Sequence, residues 1–142
     1  MNFLLDTNVV SEPMRPRPNP GVLKWLAEVE EDSAFISVVT ITELRYGIER
    51  LATGKRRERL DGWLQKDLRL RFEGRILPVD FEVANMCGRL IARRESLGRP
   101  IEPRDAFIAA TAEVFGLTLV TRNVSDFEPT TKMIVSPWSQ TQ

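Results

Sequence analysis

Along this chain, short apolar runs alternate with segments whose apolar residues recur at helical spacing. Residues 2–5 read as a buried strand ending at Asp6, and the polar step Thr7-Asn8 leads into a helical turn. The stretch from Glu12 to Pro20, rich in Pro and Arg, reads as a loop. Leu23, Leu26 and Ala27 predict a helix over Val22 to Glu30, and the β-prone run Ala34 to Val39 predicts a second strand. A helix follows from Thr40 to Leu51 with Leu44, Ile48 and Leu51 on one face, stopped by Gly54. The next begins at Lys55 and turns Leu60, Trp63, Leu64 and Leu68 inward.

In the second half, Ile76 to Val79 is a short apolar segment. Val83, Cys87, Leu90 and Ile91 then mark a helix that stops near Gly98, and Arg99 to Pro103 is a loop. Asp105 opens an alanine-rich helix through Ala109, Ala110 and Ala112 that Gly116 ends. Leu117 to Thr121 reads as a strand and Met133 to Val135 as a last edge strand. Strands alternating with amphipathic helices predict an α/β fold, a central parallel sheet with helices on both faces. No repeat or second domain is visible, so residues 1–142 are expected to form one domain.

Composition narrows the chemistry. The chain has no histidine, which removes imidazole-based zinc sites, Ser-His-Asp and Cys-His nucleophiles and imidazole acid–base catalysis. Its single cysteine, Cys87, cannot form an internal disulfide and falls on an apolar face, where packing is its expected role. No signal-like start and no membrane-length apolar run is present, and a cytoplasmic location is expected. A formal net charge of zero excludes the global positive field of many nucleic-acid binders but permits local basic patches. Catalysis therefore falls to carboxylates and a metal.

In an open parallel sheet, ligands bind beyond the carboxyl ends of the strands. Asp6 directly follows the first strand, Glu43 lies in the first turn of the helix after the second, and Asp126 lies in the loop after a later one. Asp105 begins the alanine-rich helix, whose N-terminus points to the same edge. Carboxylates gathered there repel one another unless a cation compensates, and oxygen-only ligands favour Mg²⁺ or Mn²⁺ over zinc. Each acid also has a structural role open to it. Asp6 fits a helix cap, Thr40-Ile41-Thr42-Glu43 fits a capping box, Asp105 suits the helix dipole, and Asp126 suits a turn.

Other candidates carry less. Arg50, Lys55, Arg56, Arg57 and Arg59 suit RNA phosphates, yet the interleaved Glu49 and Glu58 fit a solvated helix face. Trp25 and Trp63 share faces with periodic leucines and read as core, while Trp138 has no assigned role.

The order of motifs resembles a known family. Phe3-Leu4-Leu5-Asp6-Thr7-Asn8, then Ser37 to Leu44 with Gly47, look like a PIN domain. Ile101 to Ala112, Leu119-Val120-Thr121-Arg122-Asn123 and Asp126-Phe127 resemble the VapC and FitB-like ribonuclease toxins. Any one motif is weak; all of them in order, with each acidic position filled, overturn the separate structural readings. The resemblance implies that Asp6, Glu43, Asp105 and Asp126 gather around one or two Mg²⁺ or Mn²⁺ ions. Thr121 and Asn123 would support the site, with Thr7 and Asn8 beside them. Asn123 stands where some branches of the superfamily carry another aspartate.

The implied reaction is metal-activated hydrolysis of RNA, leaving 5′-phosphate and 3′-hydroxyl ends. The implied partners are a VapB-like antitoxin, operator DNA reached through it, and a second copy in a homodimer, with no membrane. Two alternatives stand beside this. One is a phosphohydrolase of the haloacid dehalogenase type, which wants an aspartate where Asn8 stands. The other is a catalytically silent PIN-fold binding module, whose usual mark, loss of acidic residues, is not seen here. A receiver domain is discarded, because the required acid pair after the first strand is absent.

Overall fold

A computed structural model describes residues 1–138; the last four positions of the expected 1–142 domain lie outside the described residues. Five strands form one sheet: β1 (Phe3–Leu5), β2 (Ala34–Ser37), β3 (Ile76–Leu77), β4 (Thr118–Val120) and β5 (Ile134–Val135). Their order is β3-β2-β1-β4-β5 and every pairing is parallel, as the alternation of strands and helices predicts. The chain builds outward from β1 to β3, then crosses to the other side of β1 for β4 and β5. That reversal puts a topological switch point between β1 and β4, where open α/β sheets bind ligands.

Side chains alternate across the strands and fill a core on each face. Leu5, Ile36 and Val120 point to one side; Leu4 and Leu119 point to the other. The first core is covered by α1 (Thr7–Ser11), α2 (Pro20–Glu28), α3 (Val38–Glu49) and the long helix from Lys55 to Arg71. The second is covered by α6 (Phe81–Ser96) and α7 (Pro103–Phe115), with Phe127 of α8 (Val124–Phe127) beneath them. Cys87 is buried in this second core, as packing predicts.

The long helix contains α4 (Lys55–Gly62), a π-helical stretch (Trp63–Leu68) and α5 (Arg69–Arg71). Leu60, Leu64, Leu68 and Phe72 recur every four residues and are all buried. At 3.6 residues per turn such a spacing drifts by about 40° a step. The wider π turn takes up that drift and keeps all four against the sheet. At the end of α7, Gly116 has φ +65°, and Leu117 N donates to Ala112 O at 2.8 Å, closing the helix in the left-handed conformation that glycine adopts without strain.

Several boundaries and faces differ from the sequence reading. The inward residue of α2 is Val22, with Trp25 and Leu26 beside it, while Leu23 is 40% exposed and Ala27 is exposed. The stripe is rotated because Trp25 packs edge-on against Phe3, ring centroids 5.1 Å apart. Part of the expected first loop is helical, as a 3₁₀ turn over Glu12–Met14. The second strand ends at Ser37, not Val39, because the Ser37 hydroxyl accepts from Val39 N at 3.0 Å and starts α3 two residues early. Likewise α7 begins at Pro103, at a position where a missing N–H costs nothing. No helix among the described residues is long and apolar enough to cross a membrane.

Candidate active site

The acids converge at the carboxyl edge of the sheet around the switch point. Asp6 leaves β1 and is only 5% exposed. Its Oδ1 accepts from Thr7 N at 2.8 Å and so caps α1. Its Oδ2 faces β4, accepting from the Thr121 hydroxyl at 2.8 Å and from Asn8 Nδ2 at 3.4 Å. The capping and site roles foreseen for Asp6 therefore fall on different oxygens. Burial raises its proton affinity above the usual carboxylate value, and the nearby Glu43 adds to this. The hydrogen bonds from Thr121, Thr7 and Asn8 pull the other way.

Glu43 lies in the second turn of α3, not the first. Because Ser37 is the cap, Thr40 is not, and the capping-box reading of Glu43 does not hold. Its Oε1 accepts instead from the Thr7 hydroxyl at 2.8 Å, and its Oε2 lies 3.9 Å from the guanidinium of Arg104. Thr40, fully buried, sits 3.2 Å from the same Thr7 hydroxyl. Thr7 thus joins the first helix to the third.

Asp105 occupies the first turn of α7, where the dipole favours a negative charge. Its carboxyl is pushed up to about 6, first by burial, then by the charges of Asp6, Glu43, Asp126 and Glu102. No described residue gives it a hydrogen bond or an ion pair. Asp126 sits in α8 rather than in a loop, and it is exposed. Its charge reaches both Asp105 and Arg94.

The remaining named residues are distributed unevenly. Asn8 bridges Asp6 to the backbone N–H of Arg122, which donates to Asn8 Oδ1 at 3.2 Å. Asn123 reaches the site through its backbone, donating its N–H to the Thr121 hydroxyl at 3.1 Å, while the residue itself is exposed. Thr40, Arg104 and Arg94 were not singled out from the sequence. Thr40 was hidden by the capping pattern, but Arg94 continues the inward spacing of Val83, Cys87 and Leu90 and was open to notice.

The donor set suits a hard cation. Asp6, Glu43, Asp105 and Asp126 offer oxygen only, and Asp105 feels the charges of four other acids with no described hydrogen bond or ion pair to offset them. Among the described residues no three carboxylates already close into a ligand cage. Glu43 is held by the Thr7 hydroxyl on one oxygen and lies near Arg104 on the other. Of the basic cluster, Arg57 is partly neutralised by Glu49 at 2.8 Å. Arg50 lies over Tyr46.

The model of the PIN domain matches residues 3–128. The chain belongs to the PIN-domain family. Its relatives place it in the toxin branch of that family. The chain is 38% identical over 136 residues to toxin FitB of Neisseria gonorrhoeae, covering 96% of this chain and 98% of FitB. It is 34% identical to VapC ribonuclease Y4jK of Sinorhizobium fredii, covering 96% and 97% of the two chains. The structure of FitAB bound to an IR36 DNA fragment superposes with a TM-score of 0.91 at 34% identity, covering 99% of this chain and 98% of that one. PIN-domain ribonucleases of the VapC kind are metal-dependent.

Proposed function

We propose that this chain is the toxin of a type II toxin–antitoxin pair, an endoribonuclease whose Mg²⁺ or Mn²⁺ is held by Asp6, Glu43, Asp105 and Asp126. The observation that carries this reading is Asp105: a half-buried carboxyl at the edge shared with Asp6, Glu43 and Asp126, raised to about 6 by burial and by the charges of those three acids and Glu102. Such an arrangement destabilises the fold and makes physical sense as a cation site. When bound, the cation supplies the Lewis acidity that polarises a phosphodiester and lowers the pKa of water. The protein's own contribution is orientation. Thr121 and Thr7 N–H fix the two oxygens of Asp6, Thr7 Oγ1 fixes Glu43, and Asn8 ties Asp6 to the β4 edge.

RNA is the substrate class, supported by the VapC ribonucleases among the relatives. The partner is an antitoxin that brings the pair to operator DNA, supported by FitAB on its DNA fragment. A groove of about 290 Å³ opens beside Thr7 and Glu43, lined by Leu44, Ile48, Leu51 and Trp63, with Arg15 and Arg56 also on its wall. Its apolar wall fits an antitoxin segment carrying apolar side chains, with Glu43 open to a basic one and Arg15 and Arg56 to acidic ones. One domain, working as a homodimer in the cytoplasm, completes the reading.

The test is incubation of total cellular RNA with purified, antitoxin-free protein in Mg²⁺, Mn²⁺ or EDTA, with sequencing of the new 5′ ends. Discrete cation-dependent cuts that vanish in Asp105→Asn support the reading and identify the RNA. Absence of cuts in every condition would leave a silent binding module.

A further inference from the structure

Arg94 is a buried charge that the acidic site, as described, does not use. It stands in the last turn of α6 and is 3% exposed. Its guanidinium makes no ion pair among the described residues. It donates instead to two backbone carbonyls, from Nε to Arg99 O at 2.7 Å and from Nη1 to Asp126 O at 2.8 Å. Burying a guanidinium is costly, and burial lowers its proton affinity here, yet arginine keeps its proton. A charge retained at such a place calls for a reason.

The two carbonyls belong to the two segments that carry acids. Arg99 opens the connection into α7 and Asp105; Asp126 lies in α8. Arg99 strengthens the tie, its N–H donating to Arg94 O at 3.0 Å and its Nη2 to Ser125 O at 3.5 Å. A helix of four residues has too few internal bonds to hold itself. Its described anchors include the buried Phe127 ring, the 2.8 Å bond from Arg94 to Asp126 O and the longer one from Arg99 to Ser125 O. The charges of Asp126 and Asp105 both act on Arg94 as well.

We infer that Arg94 is a positioning residue for the acidic site, tying Asp126 to the segment that leads into Asp105 and offsetting part of the repulsion between them. The inference rests on Asp105 and Asp126 belonging to one cation site. Arg94 touches neither carboxylate; it acts through the backbone that carries Asp126 and through its fixed charge.

The test is Mn²⁺ binding by electron paramagnetic resonance on the wild type, Arg94→Lys, Asp126→Asn and the double variant, with urea unfolding as the check on folding. Lysine keeps the charge but loses the rigid fork that presents Nε and Nη1 to the two carbonyls in fixed directions. Arg94→Lys is expected to weaken Mn²⁺ binding about tenfold in the wild-type background. In the Asp126→Asn background it is expected to add little, because both changes act through one group. Equal weakening in both backgrounds, or none in either, overturns the positioning role. If Asp126→Asn alone leaves binding intact, the placement of Asp126 in the cation site is what fails, and the role of Arg94 fails with it. Arg94→Gln supplies the same four-way comparison should the lysine variant unfold.

Discussion

Asp105→Asn is expected to stabilise the metal-free protein while abolishing cleavage. The change keeps the shape of the side chain and removes the charge that Asp6, Glu43, Asp126 and Glu102 oppose. A carboxyl raised from 3.8 to about 6 costs the folded state about 3 kcal/mol at neutral pH. Asp105 is only half-buried, so solvent screening brings this to about 1–2 kcal/mol. Loss of a favourable first-turn charge returns about 0.3–1 kcal/mol, leaving a net gain on the order of 1 kcal/mol. The sign follows from proton uptake. Between about pH 4 and 6 the folded wild type holds a proton at Asp105 that the unfolded chain has released, so its stability falls as pH rises through that window. Urea unfolding in EDTA across that range should show the two proteins converging near pH 4 and the variant ahead at pH 7. Saturating Mn²⁺ should reverse the order, since it stabilises only the protein that binds it. A variant no more stable than wild type at pH 7 in EDTA would refute the electrostatic reasoning.

Other perturbations act on separate parts of the site and of the core. Thr121→Val removes the hydroxyl that donates to Asp6 Oδ2 and is expected to cost about 1–3 kcal/mol in urea unfolding, with weaker Mn²⁺ binding. Thr7→Val should weaken Mn²⁺ binding by freeing Glu43, while Thr7→Ser restores it, both read by paramagnetic titration. Leu64→Ala, which empties the core beneath the π turn, should cost about 2–5 kcal/mol without moving Mn²⁺ affinity.

Much of this architecture is legible in the sequence because strands and helices differ in period. The apolar stretches around Phe3–Leu5 and Leu117–Val120, and the run Leu60, Leu64 and Leu68, identify buried strands and a buried helix face without further information. Asp6 and Asp105 are legible for a related reason: each sits where an apolar element ends or a helix begins, and the sheet rule brings those places to one edge. What could not be read was local competition. Val38 and Val39 look like strand, but a single serine cap upstream makes them helical, shifts Glu43 by a turn and cancels the capping box. Leu23 looks inward on α2, but the Trp25–Phe3 contact rotates that helix. Arg94 is the opposite case. It stands on an apolar face at the right spacing, and only its polarity argued against burial.

If the carboxylate edge between β1 and β4 is one divalent-cation site on which RNA cleavage depends, cation binding and cleavage must be lost together. The most direct measurement follows Mn²⁺ binding by electron paramagnetic resonance and cleavage of a mapped RNA in the same samples, for wild type and Asp6→Asn. Cleavage is expected to rise in step with Mn²⁺ occupancy in the wild type, and Asp6→Asn is expected to lose both. Cleavage persisting in EDTA, or Mn²⁺ binding and cleavage unchanged in Asp6→Asn, would contradict that dependence.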